Sequence, residues 1–168
     1  MLNLIKLNGL LMNGEQNIIQ QFFNAFKKLD ATTMNACYTN NIAFNDPMFD
    51  LLRGDEVRAM WQMLCANASN FSLEYDSIKD EGDGYYTCNW TAQYTFSKTG
   101  RRVINKCKAY MKIENGLIAE HSDAWSLHKW SEQAIGLPGK LLGWAGFFRR
   151  RIKNNARKNL LHFMQQNH

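Results

Sequence analysis

The sequence predicts an α+β fold in which a curved, mostly antiparallel sheet wraps around N-terminal helices, with a further helix added at the C-terminus. Three observations carry this. Apolar residues recur at helical spacing over residues 15–29. Four segments between residues 71 and 128 alternate apolar with polar residues and are divided by Gly-containing turn signals. From residue 140 the pattern returns to helix.

Taken in order, Ile18, Ile19, Phe22, Phe23 and Phe26 mark one face of a first helix over 15–29. Asp30 is a plausible N-cap for a short second helix over 31–38, with Met34 and Cys37 inward. Asn40-Asn41 signals a turn, and residues 42–46 read as a short strand stopped by Pro47. Residues 50–55 read as a loop containing Gly54, after which a third helix runs to about residue 68 with Val57, Met60, Trp61 and Leu64 on one side. Strands follow at 71–79, 85–97, 101–114 and 116–128. Their turns are expected at 80–84, at Lys98-Thr99-Gly100 and at Asn115-Gly116, the last being the strongest short hairpin signal.

Alternation assigns the faces. Lys106, Lys108 and Lys112 mark the outside of the third of these strands, so Asn105, Cys107, Ala109, Met111 and Ile113 face in. On the second, Cys88, Trp90, Ala92, Tyr94 and Phe96 face in. On the last, reading GLIAEHSDAWSLH, one face carries Leu117, Ala119, His121, Asp123, Trp125 and Leu127. A histidine and a carboxylate two residues apart on an apolar face need a reason, because unpaired polar groups there are costly. A cavity lined by this strand supplies one. The competing reading is that His121 and Asp123 only satisfy each other, and that Asp46 before Pro47 only caps a turn.

Composition bounds the function. A chain of 168 residues suits one domain, and 45% hydrophobic with 21% charged residues is ordinary for a globular one. The net charge of +5 is uneven: from residue 139 there are seven basic residues and no acidic one, leaving 13 basic against 15 acidic elsewhere. The basicity therefore belongs to the tail, which argues against nucleic-acid binding by the domain. Cys37, Cys65, Cys88 and Cys107 form no C-x-x-C pair and no zinc spacing, so they read as buried thiols in a reducing, cytoplasmic compartment, with no metal implied. The first 14 residues are too short and interrupted for a secretory signal or membrane span, and read as a flexible leader in which Met12 is an alternative start.

The helical start QQFFNAFKKLDATTMNACY, the strand AFNDP and the G-x-I-x-E-H-x-D strand, in this order and spacing, resemble the nuclear transport factor 2-like superfamily. The likeness covers residues 15–130. It is nearest to the SnoaL-like polyketide cyclase branch and is similar to ketosteroid isomerase. It implies a cone-shaped α+β barrel with a deep pocket and frequent homodimerisation through the outer sheet face. Asp46 matches the general-base carboxylate of ketosteroid isomerases, but Phe22 and Ala109 stand where those enzymes place the tyrosine and protonated aspartate of the oxyanion hole. His121 and Asp123 match an inward histidine and aspartate of SnoaL-like sequences, and scytalone dehydratase is similar in using such a pair. The Asp-Arg-Asp set of limonene-type epoxide hydrolases has no match.

The leading expectation is a cofactor-independent lyase, isomerase or cyclase acting on a small apolar molecule. Asp46, His121 and Asp123 would be catalytic, with Trp61, Trp90, Tyr94, Asn105 and Trp125 contacting substrate. The alternative is a non-catalytic ligand-binding or dimerisation module. Residues 131–168 form an extension, with one helical turn at 131–135, a break at 136–139 and a basic amphipathic helix over 140–165. Packing of that helix on the barrel or a second subunit, with Arg149, Arg150 and Arg151 in solvent, is the preferred reading. Peripheral membrane contact is the alternative.

Overall fold

The computed structural model describes residues 2–166, with side chains from Gln16 onward. Helix α1 spans Leu2–Lys27, so it begins ahead of residue 15, where a leader was expected over 1–14. Leu, Lys and Met in that stretch are strong helix formers, and extending a helix costs far less than nucleating one. The predicted stripe is its buried face: Ile19, Phe22, Phe23 and Phe26 are 0–6% exposed. Asp30 caps α2 (Ala31–Ala36) through a 3.0 Å bond from Thr33 N. This helix stops short of Tyr38, which opens strand β1 (Tyr38–Asp46) instead.

Asn40-Asn41 is not a turn but part of β1. Five steps of β1, Tyr38 to Ala43, run beside two steps of β7, Ile118 to Glu120, so the turn-prone asparagines fall in an irregularity of the ladder. Strand β2 (Asp50–Arg53), read from sequence as a loop, returns antiparallel along β1 from Asp46↔Asp50 to Ala43↔Arg53. Its Leu52 is fully buried. Helix α3 (Asp55–Asn67) lies as predicted, on a Gly54 N-cap.

Strand β3 (Ser69–Tyr75) ends earlier than expected, and residues 79–82 form a separate strand, β4 (Lys79–Gly82), paired with β5 (Tyr85–Phe96). The hairpin turn is Asp83-Gly84 alone, with φ +52° and +76°. Asn115-Gly116, φ +51° and +78°, joins β6 (Arg101–Glu114) to β7 (Leu117–Ala124) in the same way. Positive φ at both central residues matches the twist of the flanking strands. The seven strands form one curved sheet in the order β2-β1-β7-β6-β5-β3, with β4 off this path, antiparallel except for β1 beside β7. The fold class is α+β as predicted, and the sheet stays open instead of closing into a full barrel.

The C-terminal region holds three helices, α4 (Leu127–Ile135), α5 (Leu137–Leu142) and α6 (Gly146–Gln166), where one turn and one long helix were expected. Close backbone approach explains the break. A Cβ at Gly139 would sit 1.9 Å from Ser131 O, and one at Gly143 would sit 2.3 Å from Gly139 O. Helix α6 is tied to β2: Arg157 donates from Nε to Phe49 O at 3.1 Å and from Nη2 to Leu51 O at 2.8 Å, and Leu160 is buried. Arg149, Arg150 and Arg151 are in solvent.

The α4–α5 contact yields a prediction. Gly139→Ala forces a methyl into the Ser131 carbonyl and should cost at least about 1–3 kcal/mol, measured by urea denaturation. Gly146→Ala, with nothing within 4 Å of the new Cβ, should stay within about 0.5 kcal/mol of wild type.

Candidate functional site

The site begins with the parity of β7. Lys112 pairs with Glu120 and Ile113 with Ile118, so Ala119 is bulged out of the β6 ladder. The bulge reverses the face before it. Ile118 is fully buried and Leu117 only half-buried, contrary to the uniform alternation expected from sequence. After it, His121 (1% exposed) and Asp123 (5%) face inward as predicted. The strand ends at Ala124, so Trp125 and Leu127 are not strand residues; Leu127 begins α4.

A chain of buried hydrogen bonds runs through this pair. Trp61 Nε1–H, a donor only, donates to Tyr38 Oη at 3.0 Å. Tyr38 Oη lies 2.7 Å from His121 Nδ1, and His121 Nε2 lies 3.2 Å from Asp123 Oδ1. Trp90 Nε1–H donates to the same carboxylate oxygen at 3.0 Å. Since Tyr38 already accepts from Trp61, its own proton suits His121 Nδ1, which leaves the imidazole proton on Nε2 to meet the carboxylate. The ring is walled in by Phe22 at 5.4 Å, Phe44 at 5.1 Å and a stacked Trp61 at 6.2 Å between centroids. Tyr38 escaped the sequence reading because it was assigned to the end of the second helix. Its own signal is weak, since the irregular Asn40-Asn41 stretch hides that it leads into β1.

A cavity of about 480 Å³ opens in front of this chain. Asp46, Trp61, Trp90, Tyr94, Asn105, Asp123 and Trp125 all line it, so seven of the eight predicted site residues meet around one space. His121 is not among the lining residues. It stands behind Asp123, where it can orient the carboxylate but does not front the cavity. Sequence reasoning missed Trp130, which lines the wall and donates to Tyr94 Oη at 2.8 Å, and it missed Asn155 and Asn159 of α6.

The charge state of Asp46 is set by its surroundings. Burial, with the Asp123 charge adding to it, pushes the Asp46 carboxyl up to about 7. Bonds from Phe49 N (2.6 Å) and Met48 N (3.0 Å) to its Oδ1, and one from the Trp125 side chain, oppose the rise. These two backbone bonds also close the β1–β2 turn, so the capping role read from sequence and the electrostatic one coexist. Burial lifts the Tyr94 phenol to about 12, which keeps it a proton donor. Burial likewise raises all four free thiols, Cys107 most of all, so they stay protonated and fit the reading as buried thiols. Among the described residues no group of three or more His, Cys, Asp or Glu is arranged to hold a metal.

Residues 19–121 match the family model of the SnoaL-like domain. No curated protein matches the chain. Solved structures share the fold at low identity. An LEH-like epoxide hydrolase from M. tuberculosis aligns at 15% identity and TM-score 0.62, covering 78% of this chain and 97% of that one. A protein of ketosteroid isomerase-like fold from Catenulispora acidiphila, in complex with trimethylamine, aligns at 13% and 0.63, covering 73% and 95%. An NTF2-like protein of unknown function from Burkholderia pseudomallei aligns at 18% and 0.59, covering 67% and 90%.

The buried chain is testable by stability. Tyr38→Phe strands Trp61 Nε1–H and His121 Nδ1 without their partner and should cost about 1–3 kcal/mol in denaturant unfolding. Tyr75→Phe removes only an exposed bond to Asn24 and should cost well under about 1 kcal/mol.

Proposed function

The chain belongs to the SnoaL-like domain family, and from that premise we propose that its cavity binds a small, largely apolar molecule and moves a proton on it without a cofactor. The observation that carries this is one apolar space faced by two carboxylates in unlike environments, one of them lifted to about 7. A carboxyl lifted toward neutrality by burial and a nearby charge inside a cavity is a usual mark of an acid–base group.

Asp46 is the proton carrier. At neutral pH a fraction of it is ionised and can take a proton from carbon, and the acid so formed can return it elsewhere on the same molecule. Tyr94, its oxygen already accepting from Trp130, has its proton free to bond a developing oxyanion, and Asn105 offers an amide beside it. Asp123 is held by Trp90 and His121 as a fixed negative partner. In this reading His121 is a positioning residue. Such a set suits isomerisation, dehydration or cyclisation of a carbonyl compound. The neighbouring epoxide hydrolase shows that the fold hosts chemistry on small molecules.

The second reading, a binding module without turnover, is favoured by Phe22 and Ala109, which give no side-chain donor. Phe22 is fully buried against Tyr38 and His121, and Ala109 pairs with Asp123 across the ladder. We also infer a cytoplasmic protein from its four free thiols. A homodimer through the outer sheet face is inferred from the half-exposed Tyr85, Ile104 and Tyr110 there.

The test is solvent-deuterium incorporation into a panel of cyclic ketones and enones, followed by NMR. With Asp46 as base, the rate should rise with pH through about 7 and level off above it, because only the ionised form abstracts a proton. Asp46→Asn should lower it at least about 100-fold. Compounds that bind with no exchange at any pH would establish the module reading; compounds that neither bind nor exchange would remove both.

A further inference from the structure

The tail divides into two unlike parts. Its second part is packed: Leu160 is buried, Ile152, Ala156, Phe163 and Met164 lie against the cores, and Arg157 bonds β2. Its first part is not. Leu137 (73% exposed), Leu141 (65%), Trp144 (72%) and Phe147 (67%) stand in solvent within eleven residues, with Leu142 at 38% beside them. Large exposed apolar residues elsewhere are scattered over several elements, whereas these fall within one short segment, and an exposed apolar cluster of this kind marks an interaction surface. The patch is also rigidly presented. Gly139 and Gly143 press α5 onto α4 so closely that neither tolerates a Cβ, which leaves the large side chains of α5 pointing away from the protein.

Charge selects the occupant. Lys140 lies within the patch and Arg149, Arg150 and Arg151 follow it, all exposed. No Asp or Glu occurs after Glu132. In a symmetric contact between two copies this surface would meet itself and oppose its own cations. An anionic bilayer supplies the opposite charge together with an apolar layer deep enough for Trp144 and Phe147. Among the described residues no helix is long and apolar enough to cross a membrane, so the contact would lie at the interface. We propose that residues 137–151 form a peripheral docking surface for membranes rich in anionic lipid.

The protein carries its own probe. Of its five tryptophans, Trp61, Trp90 and Trp130 are buried and Trp125 half-buried, so a change of solvent exposure on docking is reported by Trp144. The experiment is flotation of the full chain with phosphatidylcholine vesicles, with and without phosphatidylserine, while tryptophan emission is recorded. Binding at least about tenfold tighter to the phosphatidylserine vesicles is expected, weakened by salt and accompanied by a blue shift. The exposed-site variants Leu141→Ser with Phe147→Ser, and Arg149→Gln with Arg150→Gln and Arg151→Gln, should each abolish binding at unchanged thermal midpoint. Trp144→Phe should bind while losing the emission shift.

Absence of binding to either vesicle at low salt would overturn the proposal, as would equal binding to both. A concentration-dependent dimer in lipid-free sedimentation that Leu141→Ser with Phe147→Ser dissolves would overturn it too, and would assign the patch to a second copy.

Discussion

The site rests on one acceptor, Asp123 Oδ1, which takes the Trp90 indole N–H at 3.0 Å and faces His121 Nε2 at 3.2 Å. A carboxylate taken out of water costs several kcal/mol unless donors replace its hydration. The aromatic inventory of the chain reads as the answer to that cost. Trp61 and Tyr38 hold His121 from behind, Phe22 and Phe44 exclude water from its ring, and Trp90 approaches the carboxylate from the neighbouring strand. Partial satisfaction of such a buried network would be worse than none, so its members stand or fall together. The bulge at Ala119 belongs to the same arrangement, because it lets Ile118 and His121 both face inward along one strand.

Asp46 works by the opposite logic. It meets the same cavity but is left with a large desolvation penalty and a like charge across the space, so it is poised near neutrality, at about 7. Its backbone bonds bind that carboxyl to the β1–β2 turn, and Arg157 binds the strand after the turn to α6. The titrating group, the hairpin and the tail are therefore one mechanical unit. Ile152, Asn155 and Asn159 of that tail line the cavity. This segment lies beyond residue 121, the end of the family match, and so gives the chain part of its own pocket shape.

Much of this was legible in the chain, for identifiable reasons. The Phe22/Phe23/Phe26 stripe and the Asn115-Gly116 hairpin are local signals with a single physical meaning, and both are realised. Strand parity placed Asp123, Trp90, Tyr94 and Asn105 on the inner face because their strands keep regular register with their neighbours. Parity failed at Leu117 and Ile118, where a bulge intervenes that no residue type announces. Tyr38 and β2 were missed because their structure is fixed by partners far along the chain, β7 for one and Arg157 for the other. His121 was placed on the correct face but not at the correct depth, since which side chain fronts a cavity is decided by packing across the whole site.

The most direct test of the account is the ionisation of Asp46, followed by carboxyl carbon NMR in wild type and in Asp123→Asn. The account predicts titration near 7 in wild type and a clear fall when the Asp123 charge is removed, because burial and that charge both raise it. Titration near the ordinary value of about 4, unmoved by Asp123→Asn, would contradict the claim that the two carboxylates share one desolvated cavity.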